Sequence, residues 1–395
     1  MLMKQDPTPV PNGNNTTAKL PVFFFHGVTA NASSAYLYQK NLTAEGRAVV
    51  ALDFCPDLCS VSGLNNQVQM AIKQVRDTVA KDSRFANGYI FIGHSQGGSI
   101  ARAVIEEMDD HKVDTFVSLA GAQNGIFYGP QPTDQIPMRA FVQRLGPQLI
   151  PAEILNFSSY TDKDYTGKFQ RDFSQMVIAA TALQPKLAVV NLPRSPVHDE
   201  WAKTNEYLPV INNINPCSDD KCKANQARRK SNFLKLRAAH FFASPGDDVI
   251  APWQTSILGQ YNDVADNDAI EKDFASFKVM SVKETLEYKE DTYGLKTLDE
   301  RRGLFLHTVE NVAHSCWVAD STPLGSTELD MDHATPAVAK DSPKAAAAYS
   351  APSNSASVAS TATTQGSPAP AVLNGAPSFD VYGDKTKPVD PSHCK

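Results

Sequence analysis

Apolar positions along this chain fall into two kinds of run, and the two alternate. Pro21-Val-Phe-Phe-Phe25, Ala48-Val-Val-Ala-Leu-Asp53, Tyr89-Ile-Phe-Ile-Gly93 and Val113 to Leu119 are short and almost continuously apolar. They lack the in–out alternation of a half-exposed strand, so each predicts a buried one. Between them, apolar residues recur at helical spacing. Val68, Ala71, Ile72, Val75 and Val79 form one stripe, and Ile100, Ala103, Val104 and Met108 form the next. Buried strands separated by amphipathic helices predict an α/β domain whose mostly parallel sheet is covered on both faces.

The rhythm breaks from about Gly125 to Lys235, where Pro, Asn, Asp and Tyr are frequent and the apolar segments are irregular. It resumes at Leu236 to Ala243 and again at Gly303 to Val309. The middle stretch, about 125–235, therefore reads as an insertion over the sheet, a lid or binding cap. The ends differ from the rest. Residues 1–19 are polar and read as a flexible lead-in. Residues 321–395 become dominated by Ala, Ser, Thr and Pro, as in Lys344-Ala-Ala-Ala-Ala-Tyr349. With few large side chains to offset the entropy of ordering, that tail is expected to be disordered, a candidate O-glycosylated stalk. The ordered domain is expected to span 20–320.

Chemistry enters at the end of the third strand. Gly93-His94-Ser95-Gln96-Gly97 is a G-x-S-x-G pentapeptide, entered from a buried strand and left by an amphipathic helix. That context gives a short motif its meaning. A sharp strand-to-helix turn leaves no room for Cβ atoms, lifts the serine hydroxyl above the sheet and sets Ser95 at a helix N-terminus, whose dipole favours developing negative charge. The domain is predicted to be an α/β-hydrolase with Ser95 as nucleophile.

A serine hydroxyl needs a base, and in this fold the chain order runs Ser, acid, His. His26, His94, His111, His198 and His240 precede any plausible acid; His333 and His393 lie near or in the tail. His307 sits inside the apolar run Leu304 to Val309 and reads as a packed strand residue. His314, in the following loop, is the expected base. The acid should follow an earlier strand, and His240 to Gly246 leads into Asp247-Asp248. Spacing does not separate these two aspartates. The oxyanion hole should use the backbone N–H of Gln96, the residue after the nucleophile, and that of Val28, beside Gly27 in the loop after the first strand. Such a site needs no metal and no cofactor.

Composition bounds the partners. The 395 residues carry a formal charge of −6, and Arg228-Arg229-Lys230 is the densest basic run, so no footprint for nucleic acid is present. No stretch reaches the roughly 20 apolar residues that span a bilayer. The N-terminus lacks a signal-peptide core, so the chain reads as cytosolic or as a mature form without its signal. Six cysteines favour the exported form: Cys55 with Cys59, and Cys217 with Cys222, can close short local disulfides. Their spacing is not that of a zinc site. N-x-[ST] triplets at Asn14, Asn15, Asn31, Asn41 and Asn156 point the same way.

Several stretches together resemble the palmitoyl-protein thioesterase family, and its second branch more than its first. Phe25-His-Gly27 resembles its oxyanion loop, and Gly93 to Gly98 its nucleophile elbow. Met108 to Leu119 followed by Gln123-Asn-Gly125 is similar to the next helix end and strand. His198-Asp-Glu200 and Tyr207-Leu208 resemble patches of its cap, and Asp291 to Leu298 a long surface segment. Gly246-Asp-Asp-Val-Ile-Ala-Pro-Trp-Gln254 resembles the acid turn and His314-Ser-Cys-Trp317 the histidine loop.

The resemblance implies that the acid is Asp247. It implies hydrolysis of fatty acyl thioesters, carried by an S-palmitoylated protein or peptide or by CoA, in a lysosomal or secreted setting. It also implies an acyl groove under the cap. Cys316, beside the base, is expected to be unpaired, and the protein monomeric. The same three side chains would cleave oxygen esters, so a carboxylic ester hydrolase or lipase is a second reading. A silent hydrolase fold used for binding is a third.

Overall fold

The structure, a computed structural model, describes residues 19–319. The lead-in before residue 19, the tail from 321, Asn14, Asn15, His333, His393 and Cys394 lie outside the described residues.

Six strands form one parallel sheet in the order β2-β1-β3-β4-β5-β8. They are β1 (Val22–Phe25), β2 (Val49–Ala51), β3 (Tyr89–His94), β4 (Val113–Leu119), β5 (Ala238–Ala243) and β8 (Leu304–Thr308). A separate antiparallel pair, β6 (Gln260–Tyr261) and β7 (Val279–Met280), lies between β5 and β8 in the chain. Helices α1 (Tyr36–Ala44), α2 (Leu64–Lys81) and α3 (Gln96–Glu107) connect the first four strands.

Strand β1 explains why the runs read as unbroken. Phe23 and Phe25 point into one core with Val68, Ile72, Ile100 and Val104 of α2 and α3. Val22 and Phe24 point into the other with Tyr38, Leu42, Ile92, Val117 and Trp317. Both faces are dry, so both sets of side chains are apolar. Each fully buried Phe contributes about 1.5–3 kcal/mol by leaving water, and truncating one such as Phe91 to Ala should cost about 3–5 kcal/mol.

The edges depart from this pattern. The run Ala48 to Asp53 forms a strand only over Val49–Ala51, because β2 has a single partner and its residues are half-buried. The opposite edge, β8, leaves Leu306 41% exposed. The other strands match their predicted runs to within two residues.

Between β4 and β5 the described chain adds no strand to the sheet. It holds α4 (Gln135–Ala140), α5 (Gly146–Leu149), α6 (Lys168–Ala179), α7 (Ala188–Asn191), α8 (His198–Thr204), α9 (Leu208–Ile211) and α10 (Asp220–Phe233), and a π-helical turn, Phe141–Leu145, joins α4 to α5. A second excursion, between β5 and β8, was not evident from periodicity. Its Tyr261 reaches across to donate to Asp134 at 2.6 Å. A Cβ on Gly129 would lie 2.0 Å from the Tyr261 ring, so Gly129 is what lets the two excursions meet.

Cys55–Cys59 and Cys217–Cys222 are disulfide-bonded. Cys316 is also disulfide-bonded, which corrects the expectation of a free thiol. Spacing reveals only local loops. Cys316 has no cysteine near it in sequence, and a bond over long separation forms only where folding brings two Cα atoms within about 7 Å.

Candidate active site

Ser95 sits where β3 turns into α3, with φ +56°, in the left-handed region that a side chain enters only under constraint. The constraint is visible. The Ser95 N–H donates to the Leu119 carbonyl at 2.9 Å, tying the turn to β4. A Cβ on Gly97 would come 2.4 Å from the carbonyl oxygens of Phe25 and His26, and one on Gly93 would come 2.5 Å from that of Gly97. The glycines are therefore steric requirements of the turn, and Ser95 caps the N-terminus of α3.

His314 lies in the loop after β8 and is 1% exposed. Its Nε2 is 2.8 Å from Ser95 Oγ, and its Nδ1 is 2.9 Å from Asp247 Oδ2. Asp247, in the turn after β5, uses its other oxygen to accept the N–H groups of Val249 and Ile250 at 2.9 and 2.8 Å. Each carboxylate oxygen thus has its own task, one facing the imidazole and one holding the turn. Asp248 does something different: its Oδ1 accepts the His314 backbone N–H at 3.0 Å. Ser244 Oγ accepts from both Gly246 N and Val312 N, joining the acid turn to the histidine loop. The neighbouring aspartates, indistinguishable by spacing, divide into one that meets the ring and one that meets the backbone.

Burial pushes the His314 ring toward its neutral form. The charge of Asp247, its hydrogen bond and the charge of Asp248 outweigh burial, so the ring titrates above its ordinary 6.5. His94 behaves oppositely. Burial and the nearby His314 hold it down to about 3, against a hydrogen bond from its Nε2 to the His314 carbonyl at 2.9 Å. It is neutral at physiological pH, with Nε2–H as donor. His94 is the variable position of the pentapeptide, and chain order had set it aside as a base. Its role here is to brace the histidine loop, and no spacing rule signals that. His307 packs on β8, stacked 4.2 Å from the Phe242 ring and 3.1 Å from His240 Nδ1.

Ser95 opens into a cavity of about 360 Å³. Val28 and Gln96, the expected oxyanion donors, line it beside Ser95. Most of the remaining lining is apolar and includes Ile126, Tyr128, Phe141, Leu145, Leu149, Phe173 and Leu192. Its polar lining includes Gln143, Arg144 and Gln148, on or beside the π-helical turn. Such turns recur at functional sites, since an extra residue re-aims the side chains around it. A serine hydroxyl that opens into a largely apolar cavity is suited to a substrate with a polar head and an apolar portion. Among the described residues no cluster of three or more His, Cys, Asp or Glu side chains could hold a metal ion. No described helix is long and apolar enough to cross a membrane.

Comparison with known proteins gives a consistent result. The sequence model of the palmitoyl protein thioesterase family matches residues 21–314. Lysosomal thioesterase PPT2-B of Xenopus laevis is 26% identical over 313 residues, covering 78% of this chain and 91% of the relative. Lysosomal thioesterase PPT2 of Homo sapiens is 26% identical over 308 residues, covering 76% and 84%. Palmitoyl-protein thioesterase 3 of Dictyostelium discoideum is 26% identical over 294 residues, covering 74% and 84%.

Proposed function

This chain belongs to the palmitoyl protein thioesterase family, and on that premise we propose that it is a serine hydrolase of long-chain fatty acyl thioesters. One observation carries the reading: an unbroken hydrogen-bonded line, Asp247–His314–Ser95, that ends at an apolar groove.

In the proposed cycle the acyl tail lies along Tyr128, Phe141, Leu149 and Phe173, with the thioester carbonyl over Ser95. His314 Nε2 takes the Ser95 proton as Oγ attacks the carbonyl carbon. Asp247 holds Nδ1–H toward itself and stabilises the imidazolium. The backbone N–H groups of Val28 and Gln96 hold the oxyanion. The C–S bond breaks, and His314 returns the proton to the departing thiolate. Water, deprotonated by the same nitrogen, then attacks the acyl-enzyme and releases the fatty acid. The segment 125–235 serves as the cap that shapes the acyl side of the groove. A lysosomal or secreted setting is part of the proposal: relatives are named lysosomal thioesterases, and two short disulfides suit an oxidising compartment.

The test is turnover of palmitoyl-CoA and of an S-palmitoylated peptide by the protein and by Ser95→Ala. Wild-type hydrolysis that the variant loses is the expected result. Undiminished hydrolysis in the variant overturns the assignment. Faster cleavage of matched oxygen esters would replace the thioesterase reading with an esterase one.

A further inference from the structure

The loop after β2, residues 55–62, lies outside every motif that led to the site, yet it bonds the residue after one expected oxyanion donor and the side chain of the other. It is closed on itself by Cys55–Cys59. Ser60, within it, is fully buried. Its hydroxyl donates to the Asp57 carbonyl and accepts the N–H of Thr29 at 2.6 Å, so both of its capacities are used. Its own carbonyl accepts Nε2–H from Gln96 at 2.8 Å and from Gln67 at 2.8 Å. Gln67 Oε1 accepts from Gln96 in turn, at 3.1 Å. Thr29 follows Val28 directly. One residue therefore grips the chain next to one donor and the side chain of the other.

Backbone strain gives the grip a purpose. Thr29 has φ +55°, and a β-branched residue in the left-handed region is strained. Asp57, on the opposite side of the contact, has φ +53°. The two loops are further joined by the Asp57 N–H to the Ala30 carbonyl at 2.8 Å and by Asn31 Nδ2 to Asp57 Oδ1 at 3.2 Å. A strained turn next to Val28 relaxes unless something over-determines it, and relaxation would turn the Val28 N–H away from the reacting carbonyl.

We propose that Ser60, held in the Cys55–Cys59 loop, is a positioning residue that fixes the Val28 and Gln96 N–H groups where the oxyanion forms. The proposal rests on the reading of Ser95 as nucleophile with these two donors. An oxyanion hole acts only in the transition state, so loosening it lowers kcat and leaves KM alone. Outright loss of one donor costs about 10²–10³ in kcat; a donor that is merely loosened should cost less, about tenfold.

Four measurements test this on the full-length protein. Ser60→Ala should lower kcat on palmitoyl-CoA about tenfold with KM within about twofold. Its inhibition by a long-chain trifluoromethyl ketone, which becomes an oxyanion on adding Ser95, should weaken by the same factor, while inhibition by palmitate stays unchanged. Gln67→Met should follow the same pattern, and it carries the test if Ser60→Ala does not fold. Cys55→Ser with Cys59→Ser should lower kcat several-fold, whereas Cys217→Ser with Cys222→Ser, on the α10 side, should not. Unchanged kcat in both Ser60→Ala and Gln67→Met, or a loss confined to KM, overturns the proposal. Failure of the parent reading looks different. A wild-type protein that labels at Ser95 with a fluorophosphonate but leaves thioesters intact refutes the substrate. The positioning role of Ser60 is then read from the labelling rate of Ser60→Ala, which uses the same oxyanion hole: slowing supports it and an equal rate refutes it.

Discussion

The two walls of the groove are built differently. On the sheet side, Ser95, Asp247 and His314 lie in the segments that follow β3, β5 and β8 and are held by directional hydrogen bonds: the Ser95 N–H to Leu119 of β4, the N–H groups of Val249 and Ile250 to Asp247, and the His314 N–H to Asp248. On the side contributed by the segment between β4 and β5, the wall is a set of aromatic and aliphatic side chains: Tyr128 stacks on Phe141 at 5.5 Å, and Phe141 meets Phe173 edge-on at 5.2 Å. Ring contacts tolerate small shifts, whereas directional hydrogen bonds do not. Under the proposed function this divides the labour, with reaction rate set on the sheet side and acyl selectivity on the side built by the segment between β4 and β5.

The sharpest way to break that division is at Asp247. Asp247→Asn keeps the shape but frees the imidazole to take the wrong tautomer, and kcat should fall about 10⁴-fold with KM little changed. Asp248→Asn, whose side chain bonds the His314 backbone and reaches the ring only through its charge, should cost far less. Steady-state kinetics on one thioester compares them, and equal losses would end the distinction drawn between the two aspartates.

Next is pH. His314 titrates above 6.5, and as the proposed base it would act only when neutral. The value of kcat/KM should therefore fall about tenfold per unit below that pKa, roughly a hundredfold two units down. Stability runs the other way. The His314–Asp247 ion pair is fully charged below pH 6.5, and its contribution is lost as pH rises through the folded-state value. A pH–rate profile set beside a pH–melting profile checks both signs, and parallel profiles would contradict the assignment.

On the wall contributed by the segment between β4 and β5, Leu149→Trp should narrow the groove. We expect KM for palmitoyl-CoA to rise about tenfold, equivalent to about 1.4 kcal/mol, while short acyl-CoAs are unaffected. A uniform loss across chain lengths would mean that Leu149 acts on the chemistry instead. The smallest effect is expected at Tyr261→Phe. It removes the donor to Asp134, whose carboxyl burial already holds up to about 6, and so loosens the tie between the two excursions. Thermal unfolding should report a loss of about 1–2 kcal/mol with kcat unchanged.

Much of the fold was legible because it is written locally. Strand runs, helical stripes and the glycines at 93 and 97 constrain the backbone within a few residues of themselves, so the sheet, the elbow and the loop holding His314 followed from pattern and chain order. The edges were over-read, since a run of apolar residues does not say how many neighbours a strand will have.

The sequence by itself determined that Ser95 would stand on a strand-to-helix turn above a buried parallel sheet, because that turn is a matter of local sterics. Spacing left Asp247 and Asp248 open and only the resemblance favoured Asp247; that Asp247 faces the His314 ring, that His94 braces the histidine loop, that Cys316 is bonded and that Ser60 accepts the Thr29 N–H are features of the tertiary structure. Each depends on a partner distant in the chain, or on which of two adjacent side chains points inward, and directions of that kind are set when the elements pack.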